Sequence, residues 1–170
     1  LSRRAIPNAQ MALLALLLAA SGESIAFATE RADSVIVFKE ARRLQLLQGT
    51  KLLREFPIAL GGRPVGHKGQ EGDQKTPEGY YLLDWRNSSS GYYRSIHISY
   101  PAPADIAAAT AKGVDPGGMI MIHGQRNYFG WLAYLTQMFD WTDGCIAVTN
   151  AQMDEIWGLV PDNTPIEIKP

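Results

Sequence analysis

Apolar and polar positions along the chain recur mostly at the short spacing of strands. Val35-Ile36-Val37-Phe38, Arg43-Leu44-Gln45-Leu46-Leu47 and a further run to Leu60 are separated by turn residues such as Gln48-Gly49-Thr50. Short strands joined by tight turns predict a β-meander. Gly61-Gly62-Arg63-Pro64 ends it, and the glycine- and charge-rich stretch to Gly79 reads as an exposed loop. Thr76-Pro77-Glu78-Gly79 is a structural turn into the strand Tyr80-Tyr81-Leu82-Leu83-Asp84. Asn87-Ser88-Ser89-Ser90-Gly91 reads as a second loop, and Ser95-Ile96-His97-Ile98-Ser99 alternates as a half-buried strand does.

Two segments break this spacing. An alanine-rich helix is expected from Ala104 to Lys112, with Pro103 at its start and Gly113 as its stop. A second begins at Thr149-x-x-Gln152, a capping box, with Met153, Ile156, Trp157 and Val160 on one apolar face and Pro161 closing it. Ile166-Glu167-Ile168 is a last strand. Between the helices, Asp115-Pro116-Gly117-Gly118 turns the chain into Met119-Ile120-Met121-Ile122, a buried strand that delivers His123 at its end.

With 170 residues the chain is expected to form one domain with a real core. The balance of 16 basic and 17 acidic residues, net −1, leaves no electrostatic footprint for nucleic acid. Arg3 and Arg4, an apolar run from Met11 to Ala20 and the small residues to Ala28 follow a secretory signal pattern. The run falls short of the roughly 20 residues that span a bilayer. The expectation is therefore a signal over residues 1–28 and an exported domain over 29–170, in the periplasm or elsewhere in the cell envelope, with no stable membrane insertion. No cysteine lies near the cleavage region, so a lipid anchor is not expected.

Export changes what the single cysteine means, because one thiol cannot form an internal disulfide. Cys145 is either a small buried hydrophobe or a reactive group. Its place in the polar turn Trp141-Thr142-Asp143-Gly144-Cys145 favours reactivity. A thiol nucleophile needs a base within about 3 Å, and His123, at the end of a buried strand, can meet it if strand and turn are brought together. The start of the second helix lies a few residues beyond, where its partial positive charge favours thiolate. A zinc site would want paired spacings such as Cys-x-x-Cys, and none occurs. His67 between glycines and lysine reads as solvated, and His97 as a sheet-face residue. Tyr128, Phe129, Trp131, Tyr134, Phe139 and Trp141 crowd the interval between His123 and Cys145. Some are expected in the core and a minority along a groove.

His123-Gly124, an interval, then Thr142-Asp143-Gly144-Cys145 resembles the L,D-transpeptidase catalytic domain, also called YkuD, whose signature is His-Gly followed by Ser/Thr-His-Gly-Cys. Gly72-Asp73-Gln74-Lys75-Thr76-Pro77-Glu78-Gly79-Tyr80 and Ile98-Ser99-Tyr100-Pro101 are similar to further stretches of that family, so the likeness runs from about Ser34 onward. Two departures stand out: Asp143 where the family usually has a second histidine, and Ala147 where many members carry Arg or Asn.

The resemblance implies a mainly β fold, a mixed-sheet sandwich or barrel with a few short helices, and no metal or organic cofactor. It implies action on peptidoglycan stem peptides, with an amine acceptor on a second stem or on a wall-attached protein. In that reading Cys145 is the nucleophile and His123 the base and later acid. Backbone N–H groups near Gly144 and Cys145 hold the oxyanion, and Gly124, Thr142, Asp143 and Tyr100 contact substrate. Arg126 is the expected substitute for the cation missing at Ala147. Water as acceptor, giving an amidase or carboxypeptidase, and a non-catalytic wall-binding module remain alternatives. A sortase would need an arginine after the cysteine, and a papain-like peptidase would place Cys before His.

Overall fold

The computed structural model describes residues 30–170; the segment read as an export signal lies outside them. The first three strands, β1 (Ser34–Phe38), β2 (Arg43–Gln48) and β3 (Lys51–Pro57), form the expected meander. Then come β4 (Gly79–Ser90), β5 (Tyr93–Ile98), α1 (Pro103–Lys112), β6 (Met121–His123), the single-turn α2 (Ala133–Thr136), β7 (Ile146–Ala147), α3 (Asn150–Leu159) and β8 (Thr164–Lys169). No described helix is long and apolar enough to cross a membrane.

The strands make one sheet in the order β3-β2-β1-β8-β4-β5-β6-β7. It is mixed, because β1 pairs parallel with β8 and β6 parallel with β7 while the other neighbours are antiparallel. The sheet also curls until its ends meet. Just past β3, Ala59 exchanges backbone bonds of 2.9 and 2.8 Å with Ala147, and Thr142 and Gly62 bond to Leu60 and Thr142 respectively. Edge strands with unpaired amides invite aggregation, and the bridges Ala59–Ala147 and Gly61–Thr142 occupy the outer edge of β7 and of the turn that precedes it. They also set the turn that carries Cys145 against the start of the long loop after β3. The expected β-rich, barrel-like architecture with few helices is thus what the chain builds, from a single curled sheet.

Alternation explains the core. In β1 and β2, Val35, Val37, Leu44 and Leu46 point inward and are at most 1 % exposed, and Ile166 and Ile168 of β8 join them. At α3, Thr149 Oγ1 accepts from the Gln152 N–H at 3.2 Å and Gln152 Oε1 from the Thr149 N–H at 2.9 Å, the capping box read from the sequence. Met153, Ile156 and Val160 are buried and Trp157 packs at the rim of the core. Gly113, at φ +67°, ends α1 in the left-handed conformation that a β-carbon penalises.

Three stretches differ from expectation. Met119 and Ile120, read as the start of a buried strand, precede β6, and Met119 is 63 % exposed in a left-handed turn conformation. β4 runs on through Asn87 to Ser90, so the serine-rich segment is strand and not loop, with register shifts that let it bend. The stretch 61–79 is pinned and not merely exposed. Lys39, only 2 % exposed, donates to the Gly66 and Thr76 carbonyls, both at 2.8 Å, and to Glu78 at 2.7 Å. Thr76 Oγ1 is buried and accepts the Gly61 N–H at 3.1 Å. Burial pushes the Asp73 carboxyl up, but the N–H groups of Gly69, Lys75 and Gln70 and the Lys68 ammonium outweigh it and hold it below its ordinary range. His67, expected to be solvated, accepts the Glu78 N–H at 3.0 Å through Nδ1 and reaches Asp105 of α1 through Nε2 at 3.0 Å. These polar ties stand in for a hydrophobic face that so glycine-rich a segment lacks.

Candidate active site

Strand alternation puts Ile122 into the core, fully buried, and turns its neighbours Met121 and His123 to the opposite face. There a cleft of about 350 Å³ opens. Met121, His123, Trp141, Thr142, Asp143 and Cys145 line it. Asn87, Tyr92 and Ser95 from the β4–β5 hairpin also line it, beside His123. Histidine and cysteine, 22 positions apart in sequence, thus share one cleft because β6 and β7 are parallel neighbours, Ile122 opposite Ile146. A hollow of about 270 Å³ beside Lys39 and Glu78 contains no nucleophile.

The turn before Cys145 is built by Thr142. Its hydroxyl donates to the Cys145 carbonyl at 2.7 Å and accepts the Gly144 N–H at 3.1 Å. Gly144 has φ +128°, and a β-carbon there would lie 2.5 Å from the Lys75 carbonyl oxygen, so only glycine lets the pinned loop approach. One expectation changes with this geometry. The Gly144 N–H is spent inside the turn, which leaves the Cys145 N–H, without a partner among the described residues, as the available oxyanion donor.

His123 is 4 % exposed. Its Nδ1 lies 2.6 Å from the Gly124 carbonyl oxygen. A carbonyl only accepts, so Nδ1 carries the proton and Nε2 is left with the lone pair that a base needs. Gly124 therefore orients the imidazole, and its own α-carbon is hemmed in, since a β-carbon would meet Asn150 Oδ1 at 2.7 Å. Tyr92 lies tilted over the ring at 4.7 Å and Trp141 meets it edge-on at 5.7 Å. Burial among these aromatics lowers the His123 pKa to about 4, opposed in part by the Gly124 bond. Burial likewise pushes the Cys145 thiol up, against the Met121 N–H at 3.4 Å from Sγ. Asp143 adds to the rise and Lys68 opposes it. Burial thus disfavours the charged form of each group, and among the described residues the hydrogen bonds of Sγ go to the Met121 N–H and the Met119 carbonyl and not to the His123 ring.

Other expected site residues fall elsewhere. Tyr100 is 2 % exposed, stands in the core edge-on to Tyr81 and donates to the Pro116 carbonyl at 3.0 Å, so it does not face the cleft. Arg126 is exposed and is not among the cleft-lining residues. Asp143 is exposed at the rim and is the only charged side chain in the lining. Ala147 is fully buried beside Ala59.

The aromatic interval is mostly outside the core: Tyr128, Trp131 and Tyr134 are 95, 79 and 81 % exposed, and only Trp141 reaches the cleft. Its inward contacts are polar. Gln125 bonds Val148 and Thr136 at 2.8 and 2.5 Å, and Gln137 reaches Ala147 at 3.3 Å. Tyr92, Ser95 and Asn87 had no signal in the sequence, because their place depends on the pairing of β4, β5 and β6.

Among known proteins, the family model for the L,D-transpeptidase catalytic domain, YkuD, matches residues 32–168. The Escherichia coli (strain K12) protein YafK is 33 % identical over 131 residues, 73 % of this chain and 45 % of YafK. The chain therefore spans about half the length of the curated relatives it matches. The helical cell shape determining protein Pgp2 from Campylobacter jejuni superposes with a TM-score of 0.62 at 26 % identity, over 81 % of this chain and 48 % of that one. An L,D-transpeptidase from Mycobacterium smegmatis shares the fold, with a TM-score of 0.54 at 12 % identity over 81 % of this chain and 58 % of its own. A curled mixed sheet, a His-Gly pair and a Gly-Cys turn meeting at one cleft agree with these matches: the chain belongs to the L,D-transpeptidase catalytic domain (YkuD) family.

Proposed function

We propose that the domain is an exported cysteine acyltransferase of peptidoglycan, cutting stem tetrapeptides after their third residue. The observation that carries this reading is the tautomer of His123, whose Nδ1–H is taken by Gly124 while Nε2 remains basic in the cleft it shares with Cys145. Cys145 gives its proton to Nε2 as Sγ bonds to the third residue's carbonyl carbon. The C–N bond then breaks, and the imidazolium protonates the departing terminal D-Ala amine. The Cys145 N–H holds the oxyanion in between. An amine acceptor attacks the thioester, forms a new amide and restores the thiol. Every step uses protein groups alone. The substrate lies in the cell envelope, in keeping with the secretory pattern of the first residues, and Pgp2's description as a shape determinant is in keeping with wall remodelling.

Mass spectrometry of the protein incubated with defined muropeptides tests the proposal. Loss of D-Ala with appearance of a cross-linked product, or of stem-modified protein, is expected. Tripeptide alone would mean that water is the acceptor, a reading favoured by the absence of Lys or Arg from the described cleft lining. Intact tetrapeptide after prolonged incubation would refute the proposal.

Arg126 separates two ways of meeting substrate charge. A charge-assisted contact would cost about tenfold in KM when removed. Since Arg126 stands in solvent outside the cleft lining, Arg126→Ala is expected to leave KM for tetrapeptide within about twofold. A tenfold rise would return Arg126 to the site.

A further inference from the structure

The register of His123 continues outward across two more strands. Ser95 of β5 is its direct partner, and Asn87 of β4 is the partner of Ser95. Backbone bonds from Gly124 to Arg94 and from Ile98 to Ile120 flank this position. They make Ser95 and His123 a non-hydrogen-bonded pair, in which facing side chains stand closest. All three residues line the cleft. Ser95 is 2 % exposed, yet its Oγ has no hydrogen-bond partner. The indole Nε1 of Trp141, another lining residue, is likewise buried and unpartnered. Buried polar groups are nearly always paired, and two orphans bordering one cleft call for an explanation.

Their chemistry narrows what could satisfy them. An indole N–H only donates, and a serine hydroxyl donates or accepts. Asn87 Oδ1 already accepts the Ser89 N–H at 2.9 Å, so its free capacity is chiefly the Nδ2 donor. The set is neutral and rich in donors; the charged side chain in the lining is the Asp143 carboxylate, and Lys68, whose charge is felt at Cys145 from outside the lining, is already paired with Asp73. A carboxylate ligand would be repelled by Asp143 and would find no cation in the lining, Lys68 being held by Asp73. Amide carbonyls suit such a set. Because Ser95 Oγ has no bond to lose, turning between its staggered positions toward the cleft sacrifices none.

We propose that Asn87, Ser95 and Trp141 form the subsite that grips the main-chain carbonyls of the acyl-donor peptide beside the scissile bond, with Ser95 as the deciding contact. The inference rests on the acyl-transfer reading above. It makes Ser95 a specificity residue whose hydroxyl is left unpaired in the free protein so that peptide can complete it, a local cost to stability that binding removes.

The test uses the whole protein and two readouts. Ser95→Ala should raise KM for stem tetrapeptide about tenfold or more with a smaller change in kcat, while the melting temperature stays level or rises because an orphan hydroxyl has gone. Trp141→Phe, which keeps a ring and removes the N–H, should act in the same direction. Independently of turnover, tetrapeptide should protect Cys145 of the wild type from brief iodoacetamide treatment. That protection should be lost in Ser95→Ala, whose alkylation without peptide matches wild type.

Equal protection and equal KM in the variants, or a lowered melting temperature as their only change, would overturn the subsite while leaving the acyl-transfer reading intact. Protection that Ser95→Ala loses, in a wild type that never turns over, would keep the subsite and refute the chemistry. No protection of wild type would refute the subsite.

Discussion

Cys145→Ala is expected to fold normally and to release no measurable D-Ala from tetrapeptide muropeptides, a loss of roughly 10⁴-fold or more, as for deletion of other covalent nucleophiles. The two halves of this expectation have separate causes. Folding survives because the sulfur makes only long contacts, 3.4 Å to the Met121 N–H and 3.6 Å to the Met119 carbonyl. The turn around it is held by Thr142 and Gly144, which the substitution leaves in place. Activity disappears because Cys145 is the chain's single cysteine, and a serine hydroxyl such as that of Ser95 is a far weaker nucleophile than a thiol. Far-ultraviolet circular dichroism and product analysis on the same sample check both halves. Activity near wild type in a folded variant would remove Cys145 from the mechanism.

His123→Ala should cost about 10²–10⁴-fold in kcat/KM, the usual contribution of a positioned acid–base. The same variant should alkylate more slowly with iodoacetamide at neutral pH, and its pH profile should move upward, because nothing then takes the thiol proton. The profile belongs to the coupled pair and not to either residue. A second signature is thermodynamic. His123 has its pKa lowered from 6.5 to about 4 by burial, so between those values the unfolded chain binds a proton that the folded one refuses. Stability should therefore rise with pH from about 4 to about 6.5 and level off above, with roughly 3 kcal/mol of that rise due to His123. Urea midpoints of wild type and His123→Ala at pH 4.5 and 7.5 isolate it. Parallel slopes would mean that His123 is not held neutral by burial.

Much of the fold was legible because its causes are local. Strand alternation in Val35-Ile36-Val37, the stop at Gly113 and the Thr149–Gln152 capping box each depend on residues a few positions apart, and short-range sterics and hydrogen bonds act the same way in any surroundings. That His123 and Cys145 lie at one cleft was legible too, from residue type, position at element ends and likeness to a family.

What the chain's order left open was every question of who faces whom. Tyr100 in the core, Arg126 in solvent, the Gly144 amide tied to Thr142 and the row Asn87-Ser95-His123 all follow from strand register and from the closure of the sheet at Ala59 and Ala147. Register shifted by one residue turns each side chain to the opposite face. The sequence by itself determined a β-rich fold with one thiol and a histidine at the end of an apolar strand. Only the tertiary structure, by pairing segments remote in sequence, decided which polar and aromatic side chains surround them.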